Sequence, residues 1–423
     1  MNRNAGANIN ANVSVNANLN QNVNVNQNVN VNMNTPVNVP PTADAGPDQS
    51  VAAGASVTLN GSGSSDPDGG TLTYAWTETA GTPVTLAGAS TAGPTFTAPN
   101  ASETLTFQLT VNDGQGGADT DSVNVTVTAP DVLFIAGFAG NNVVSFVNPA
   151  TINGNIQPST NLQGAQTQLM QPADIIVTGN DLLIAANFMA NSLTSYANAT
   201  ATNGNIQPSG IVQGAATGLN GPASLVVNTA ASLVLVANFT GDNITVYSTA
   251  GTFNGNLPPV RTITNAGTLN NPTGINFGAN DDLYVAQSLR VLVYAGASNL
   301  NGDVMPTRII TSGAFTDVFD VFVDTNDNLF VVNTTGTVLV FTNAASRNGA
   351  QTPDTTLTVN GANSLTAIVV DSDNIGYIVD NGVNAVFSYN NVSARNGAFN
   401  PDRTIQGGQT QLTDPIRAFL LQR

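Results

Sequence analysis

From residue 8 to residue 34 almost every even position is Asn, and the odd positions are mostly Val, Ala, Ile or Leu. The period is two, so an extended chain there presents one amide face and one aliphatic face. The aliphatic row runs through Ile9, Val13, Val15, Leu19, Val23, Val25, Val29 and Val31, and Gln21 and Gln27 interrupt it in a six-residue register. Pro36, Pro40 and Pro41 end the alternation. Beyond them, runs at 56–59, 71–77, 104–112 and 122–128 stand between Gly, Asp and Pro turns, which predicts a small β-sandwich over 43–129 with the lone Trp76 in its core. Past residue 130, β-branched and aromatic runs such as 232–238 and 244–247 recur with no helical period.

That last region repeats. An Asn-Gly pair with a Pro four residues past the Gly occurs six times, at Asn153, Asn203, Asn254, Asn301, Asn348 and Asn396, spaced 50, 51, 47, 47 and 48 residues apart. About four short strands per unit of about 40–50 residues is the arithmetic of a propeller blade. The Asn-Gly pair falls between the third and outer strands, where Gly supplies the positive φ of a tight turn and Pro stiffens the entry to the outer strand. The repeat starts out of phase: the chain ends on Pro415-Ile-Arg417-Ala-Phe, which matches the innermost strands beginning at Pro172 and Pro222. The C-terminal strand is therefore expected to complete the first blade. The expectation is an all-β chain: an extended arm over 1–42, a sandwich over 43–129 and a six-bladed propeller over 130–423. The two-residue junction Ala129-Pro130 is too short and stiff to act as a flexible tether.

Two family resemblances follow. The stretch from Gly61 through Asp66-Pro67-Asp68-Gly69, with Tyr74-Ala-Trp76 and Val111-Asn-Asp113-Gly114, resembles the PKD (polycystic kidney disease) domains of microbial surface and secreted proteins. The resemblance implies an immunoglobulin-like fold that spaces or binds and is not itself catalytic. Segments such as Pro272-Thr-Gly-Ile-Asn-Phe, followed by Leu283-Tyr-Val-Ala, are similar to NHL-repeat propellers. They depart from that family where an Asp usually follows Val-Ala: here stand Gly137, Asn187, Asn238, Gln287, Asn333 and Asp380. Some propellers of that kind are enzymes relying on His and metal, and this chain has no His, so the activity is not carried over.

Composition narrows the chemistry. Charged residues are 8% of the chain, the net charge is −17, and Cys and His are absent; the nine basic residues are all Arg. No Ser-His or Cys-His nucleophile, Schiff-base lysine or ordinary zinc site can be built. Carboxylate acid–base work and oxygen-ligated Ca²⁺ remain. An acidic chain without clustered cations disfavours nucleic acid and anionic membrane, and no apolar run is long enough for a membrane span. Residues 1–30 show no apolar core of a signal peptide.

Few residues are candidates for a site. Asp66, Asp68 and Asp113 could offer oxygens to Ca²⁺, or simply build turns through Asx hydrogen bonds. Alignment of the inner strands places Arg417, Asp174, Ser224, Gly274, Asp320 and Ala367 around the propeller axis, with Arg417 and Asp174 in adjacent blades and an ion pair between blades as one reading. Phe138, Phe188 and Phe239 stand just past the second strand in the first three blades alone. They make either an apolar rim patch suited to a partner or a sugar ring, or rings folded onto their own loops.

The expected function is that of a non-enzymatic extracellular or cell-surface protein, a fibre or layer subunit whose arm is donated as a strand to another copy of itself. The arm also admits reading as a disordered low-complexity tail or as a stacked β-solenoid. The rivals are a monomeric propeller binding a surface glycan or a protein, and a carboxylate-dependent glycosidase or lyase acting through Asp174 or Asp320. No cofactor beyond calcium is implied.

Overall fold

The computed structural model describes residues 37–250, 253–265 and 267–422, so the aliphatic row from Ile9 to Val31 lies outside the described residues. The chain divides between Ala129 and Pro130 into two compact units.

The first unit is a sandwich. Its strands are β1 (Gln49–Ala52), β2 (Ser56–Thr58), β3 (Thr73–Ala80), β4 (Thr95–Thr97), β5 (Glu103–Asn112) and β6 (Ala118–Thr128). One sheet has the order β1-β6-β5-β3, with β1 parallel to β6, and the other pairs β2 with β4. In β5 and β6 the period of two sends Leu105, Phe107, Leu109, Val123 and Val125 into the core and Thr, Ser, Asn and Gln outward. Trp76 is buried among them, and its indole N–H donates to the Thr91 carbonyl at 3.1 Å. The short β1 and β4 escape the sequence pattern because each is flanked by Gly, Ala or Pro and is too brief to show a period. The boundary expected at residue 42 falls inside this unit: Thr42 bridges Ser65, and the Val39 N–H donates to Asp68 at 2.7 Å.

Residues 43–129 carry nine acids and no base, yet every one of the nine accepts a backbone N–H, among them Asp119 from Ala43, Asp121 from Ala45 and Glu103 from Thr82. The negative charge is thus used locally, as hydrogen-bond acceptors for loop backbone.

The second unit is a β-propeller of six sheets, each of four antiparallel strands, and three of the sheets gain a short parallel strand from the next blade. The C-terminal strand Pro415–Leu421 is the innermost of the sheet containing Val132–Gly137, Asn142–Val147 and Thr160–Gln163, so both ends of the unit share one blade, here blade 1. In the inner strands of five blades the register shifts after the first residue, between Pro172/Asp174, Pro222/Ser224, Val318/Asp320, Leu365/Ala367 and Pro415/Arg417. A bulge of this kind re-aims the side chain that follows it. Strands such as Val132–Gly137 and Pro172–Val177 are buried along their whole length, because each blade packs both faces on its neighbours.

The repeated Asn-Gly pair joins blades. The Asn203 side-chain oxygen accepts the N–H of Asn161, on the outer strand of the preceding blade, at 2.8 Å. Asn254 does the same for Ile211, Asn301 for Thr262, Asn348 for Ile309, Asn396 for Thr356 and Asn153 for Thr404, all within 2.9–3.1 Å. The following Gly, with φ between +72 and +117°, makes a parallel bridge to the same strand. In blades 1–3 a second Asn (Asn155, Asn205, Asn256) accepts another N–H from the preceding blade at 2.8 Å. The tight turn expected from Asn-Gly is present, and its amide is a latch.

Candidate functional site

The bulges bring the polar residues of the inner strands together on the axis. Arg417, Asp174 and Asp320 are 3%, 5% and 7% exposed, and with Ser224 they line an axial cavity of about 160 Å³ whose remaining wall is mostly Ile, Val and Leu. The pairing differs from the sequence expectation. The Arg417 guanidinium lies 3.5 Å from a carboxylate oxygen of Asp320, in blade 5, and its nitrogens also donate to the carbonyls of Thr273, Phe319 and Thr366 at the entrances of blades 4, 5 and 6. It stacks over the Phe319 ring at 4.8 Å. Asp174, in the blade adjoining Arg417, is held instead by the Ser224 hydroxyl at 2.9 Å and by the Leu225 and Ile175 N–H groups at 2.7 Å. A long fork-shaped side chain gains more from three carbonyls across the ring than from a neighbour already engaged by three donors.

Gly274 is part of the same arrangement. A Cβ there would stand 2.4 Å from the Asp320 carboxylate, so the missing side chain makes room for the ion pair. Burial raises the Asp174 carboxyl to about 7, against the opposing attraction of Arg417 and the hydrogen bonds from Leu225 and Ser224. Burial raises Asp320 as well, and Arg417 again opposes it.

On the rim, Phe138, Phe188 and Phe239 pack on one another from blade to blade. Their ring centroids are 6.0 and 6.2 Å apart with planes tilted by 58° and 54°, and all three rings are half-buried. The rings pack on one another rather than each on its own loop, and make one continuous aromatic arc along the rim. The equivalent rim positions in blades 5 and 6 are Thr334 and Asn381, whose N–H groups make the same bond to the strand entrance, so the ring is apolar on one side and polar on the other. Beside the arc a groove of about 620 Å³ carries the exposed Met170 and Met189.

Four of the residues that end the second strands are staples. Asn187 accepts the N–H of Met170, Asn238 that of Asn220, Asn333 that of Thr316 and Asp380 those of Asn363 and Ser364, each fixing the loop that leads into its blade.

In the sandwich, no group of three acids able to hold a metal occurs among the described residues. Asp66 caps the N–H of Asp68, Asp68 accepts Val39, and Asp113 accepts Gln115, Gly117 and the Asn38 amide. The amide of Asn38 holds the Asp113 carboxyl below its ordinary value. These are turn and docking contacts, as the turn-building reading of Asp66, Asp68 and Asp113 has them.

Residues 45–127 match a family of PKD domains. The PKD domain of the KIAA 1837 protein is 38% identical over 21% of this chain and 85% of that one, with a TM-score of 0.19. A nucleoside hydrolase-related hypothetical protein from Saccharophagus degradans, associated with carbohydrate metabolism, is 25% identical over 22% of this chain, with a TM-score of 0.20. This chain spans 26% of the length of that protein. A protein of unknown function from Bacteroides caccae is 9% identical over 70% of this chain and all of its own, with a TM-score of 0.48. No curated protein matches the chain. The PKD domain points to an extracellular interaction or structural role. Among the described residues, no helix is long and apolar enough to cross a membrane.

Proposed function

We propose that this protein is a non-enzymatic structural subunit of the extracellular space or cell surface that polymerises by donating residues 8–34 to a neighbouring copy. The observation that carries the reading is the sustained alternation of Asn with aliphatic residues in that segment. At ~3.3 Å per residue such a ribbon reaches on the order of 90 Å, more than one small domain needs, and donation from head to tail does not close on itself. The axial chemistry supports a non-catalytic role. Both oxygens of Asp174 and the guanidinium of Arg417 are engaged by protein groups, whereas a glycosidase needs a carboxyl pair presented to its substrate. The propeller itself reads as NHL-like in its strand motifs. Electron microscopy of the full chain and of a chain lacking residues 1–36 tests the proposal. Fibres or sheets are expected only with the segment present, and a full-length protein that stays monomeric at high concentration overturns it.

The aromatic arc favours a second reading, a propeller that binds a sugar or protein on one rim. Under that reading Phe188→Ala abolishes glycan-array or partner binding and leaves assembly untouched.

A further inference from the structure

The two units differ in what they could offer an incoming strand. Blade strands such as Val132–Gly137 are buried on both faces, and the outer strands already carry the Asn-Gly bridges of the next blade. Outer strands such as Thr355–Val359 do alternate polar and buried positions, but their outer side is taken by those bridges. The sandwich strands do match the incoming strand. Ser122-Val-Asn-Val-Thr-Val-Thr128 of β6 buries its Val residues and exposes Ser, Asn and Thr, the same alternation as Asn22-Val-Asn-Val-Asn26. The outward rows of β3, β5 and β6 are built from Thr, Ser, Asn, Gln and Ala with no charged residue.

The sheet order leaves β3 at one edge, eight residues long against four in β1. The Trp76 N–H points away from β5, because it donates to the Ala89 carbonyl at 2.9 Å. By the alternation of an antiparallel ladder, the backbone groups of Tyr74 point the same way. Among the described residues that is the one backbone bond along this edge; the same loop also touches it through the Val84 N–H to Glu78 and the Trp76 indole to Thr91, so an added strand displaces the Ala89 contact. A bulge between Glu78 and Ala80 and the inward-side Glu78 protect the end of the strand, and no Lys or Pro blunts Thr73–Thr77 before it.

We propose that β3 is the acceptor: residues from the 8–34 segment of a second copy add to its outer edge, Val row continuing the core face and Asn row continuing the uncharged face. This rests on the donor-strand function above. The length agrees, since the stretch between Gln21 and Gln27 is five residues and the part of β3 before its bulge, once the Ala89 contact at Trp76 is displaced, offers the five of Thr73–Thr77.

The absence of Cys makes the test direct. Ala75, exposed on the outward face of β3, is changed to Cys in one full-length chain. A second full-length chain carries Asn16→Cys, Asn22→Cys or Asn28→Cys, positions in one six-residue register. Facing residues on adjacent strands come close enough for a disulfide. Mixing and mild oxidation should give a disulfide-linked dimer with Ala75→Cys at least tenfold more abundant than with Ala350→Cys, on an exposed propeller edge. Preferential linkage to Ala350→Cys overturns the β3 assignment and leaves strand donation standing. Linkage found only inside single chains carrying both Asn22→Cys and Ala75→Cys overturns donation to a neighbour as well. No linkage to Ala75→Cys from any of the three positions also overturns the assignment, and assembly with and without residues 1–36 then decides the proposed function on its own.

Discussion

The side-chain oxygen of Asn153 accepts the backbone N–H of Thr404 at 2.9 Å, across 251 positions of sequence. The bond lies between the first and last blades and is the same bond that Asn203 makes to Asn161 between neighbours. A propeller whose blades are tied by identical latches distributes its stability round the ring, and the join between its two ends is held like the others.

Removing one latch should therefore cost the same at the join as elsewhere. Asn153→Ala and Asn203→Ala are each expected to destabilise the propeller by about 1–2 kcal/mol, the loss of one hydrogen bond and exposure of its donor. Urea denaturation checks this. A loss several-fold larger for Asn153→Ala would mean that the C-terminal strand depends on this one contact.

The axial ion pair should be far more sensitive. Arg417→Met leaves Asp320 buried without its cation and three carbonyls without their donor, so a loss of about 3–5 kcal/mol is expected. Gly274→Ala, which adds a single methyl group, should also destabilise, because that methyl would meet the Asp320 carboxylate. Combining Gly274→Ala with Asp320→Ala should recover part of the loss. Full additivity in this cycle would show that the glycine is needed for the close backbone approach of Asp320 Cα, 2.9 Å from the added methyl, and not for the carboxylate.

Much of this architecture is legible in the sequence, and the reason is period. Alternation in β5 and β6, and the near-50-residue recurrence of Asn-Gly, declare a sandwich and a ring of blades; aligning inner strands also brings Arg417, Asp174 and Asp320 to one axis. Which partner Arg417 takes is not legible. Residues that face a common axis all lie within reach of a long side chain, and the choice depends on which acceptors are already satisfied. Ser224 and Leu225 occupy Asp174 and leave Asp320 for the arginine. The latches are hidden for a related reason: a motif that makes a sound local turn gives no sign that its side chain bonds a different blade. The acids of the sandwich admit two readings from sequence, since Asp66, Asp68 and Asp113 have both the composition of a calcium loop and that of Asx turns.

Calcium offers a direct check on those acids. Asp113 already accepts three donors and Asp68 accepts the Val39 N–H, so millimolar calcium or a chelator should leave the melting temperature of the sandwich unchanged. A rise of several degrees with calcium, lost in Asp68→Ala, would show that the carboxylates exchange these bonds for metal.

Acid should act on the two units with opposite sign. In the sandwich, Asp113 is held below its ordinary value by the Asn38 amide, and Asp119 by the Ala43 N–H. Their contribution is present above the unfolded value of 3.8 and is lost as pH falls through the depressed folded values. In the propeller, burial raises Asp174 from 3.8 to about 7, so the folded state holds a proton that the unfolded state has released. Its contribution is fully present below 3.8 and is lost as pH rises toward 7. Asp320, also raised by burial, shifts the propeller in the same direction. Scanning calorimetry from pH 7 to pH 3 should show the sandwich transition moving down at the acid end while the axial cluster adds stability to the propeller. Replacing Asp174 by Asn should flatten the propeller's dependence between about 4 and 7. An unchanged slope in that variant would place the titrating group elsewhere, and would mean that Asp174 stays ionised on its three donors despite being buried.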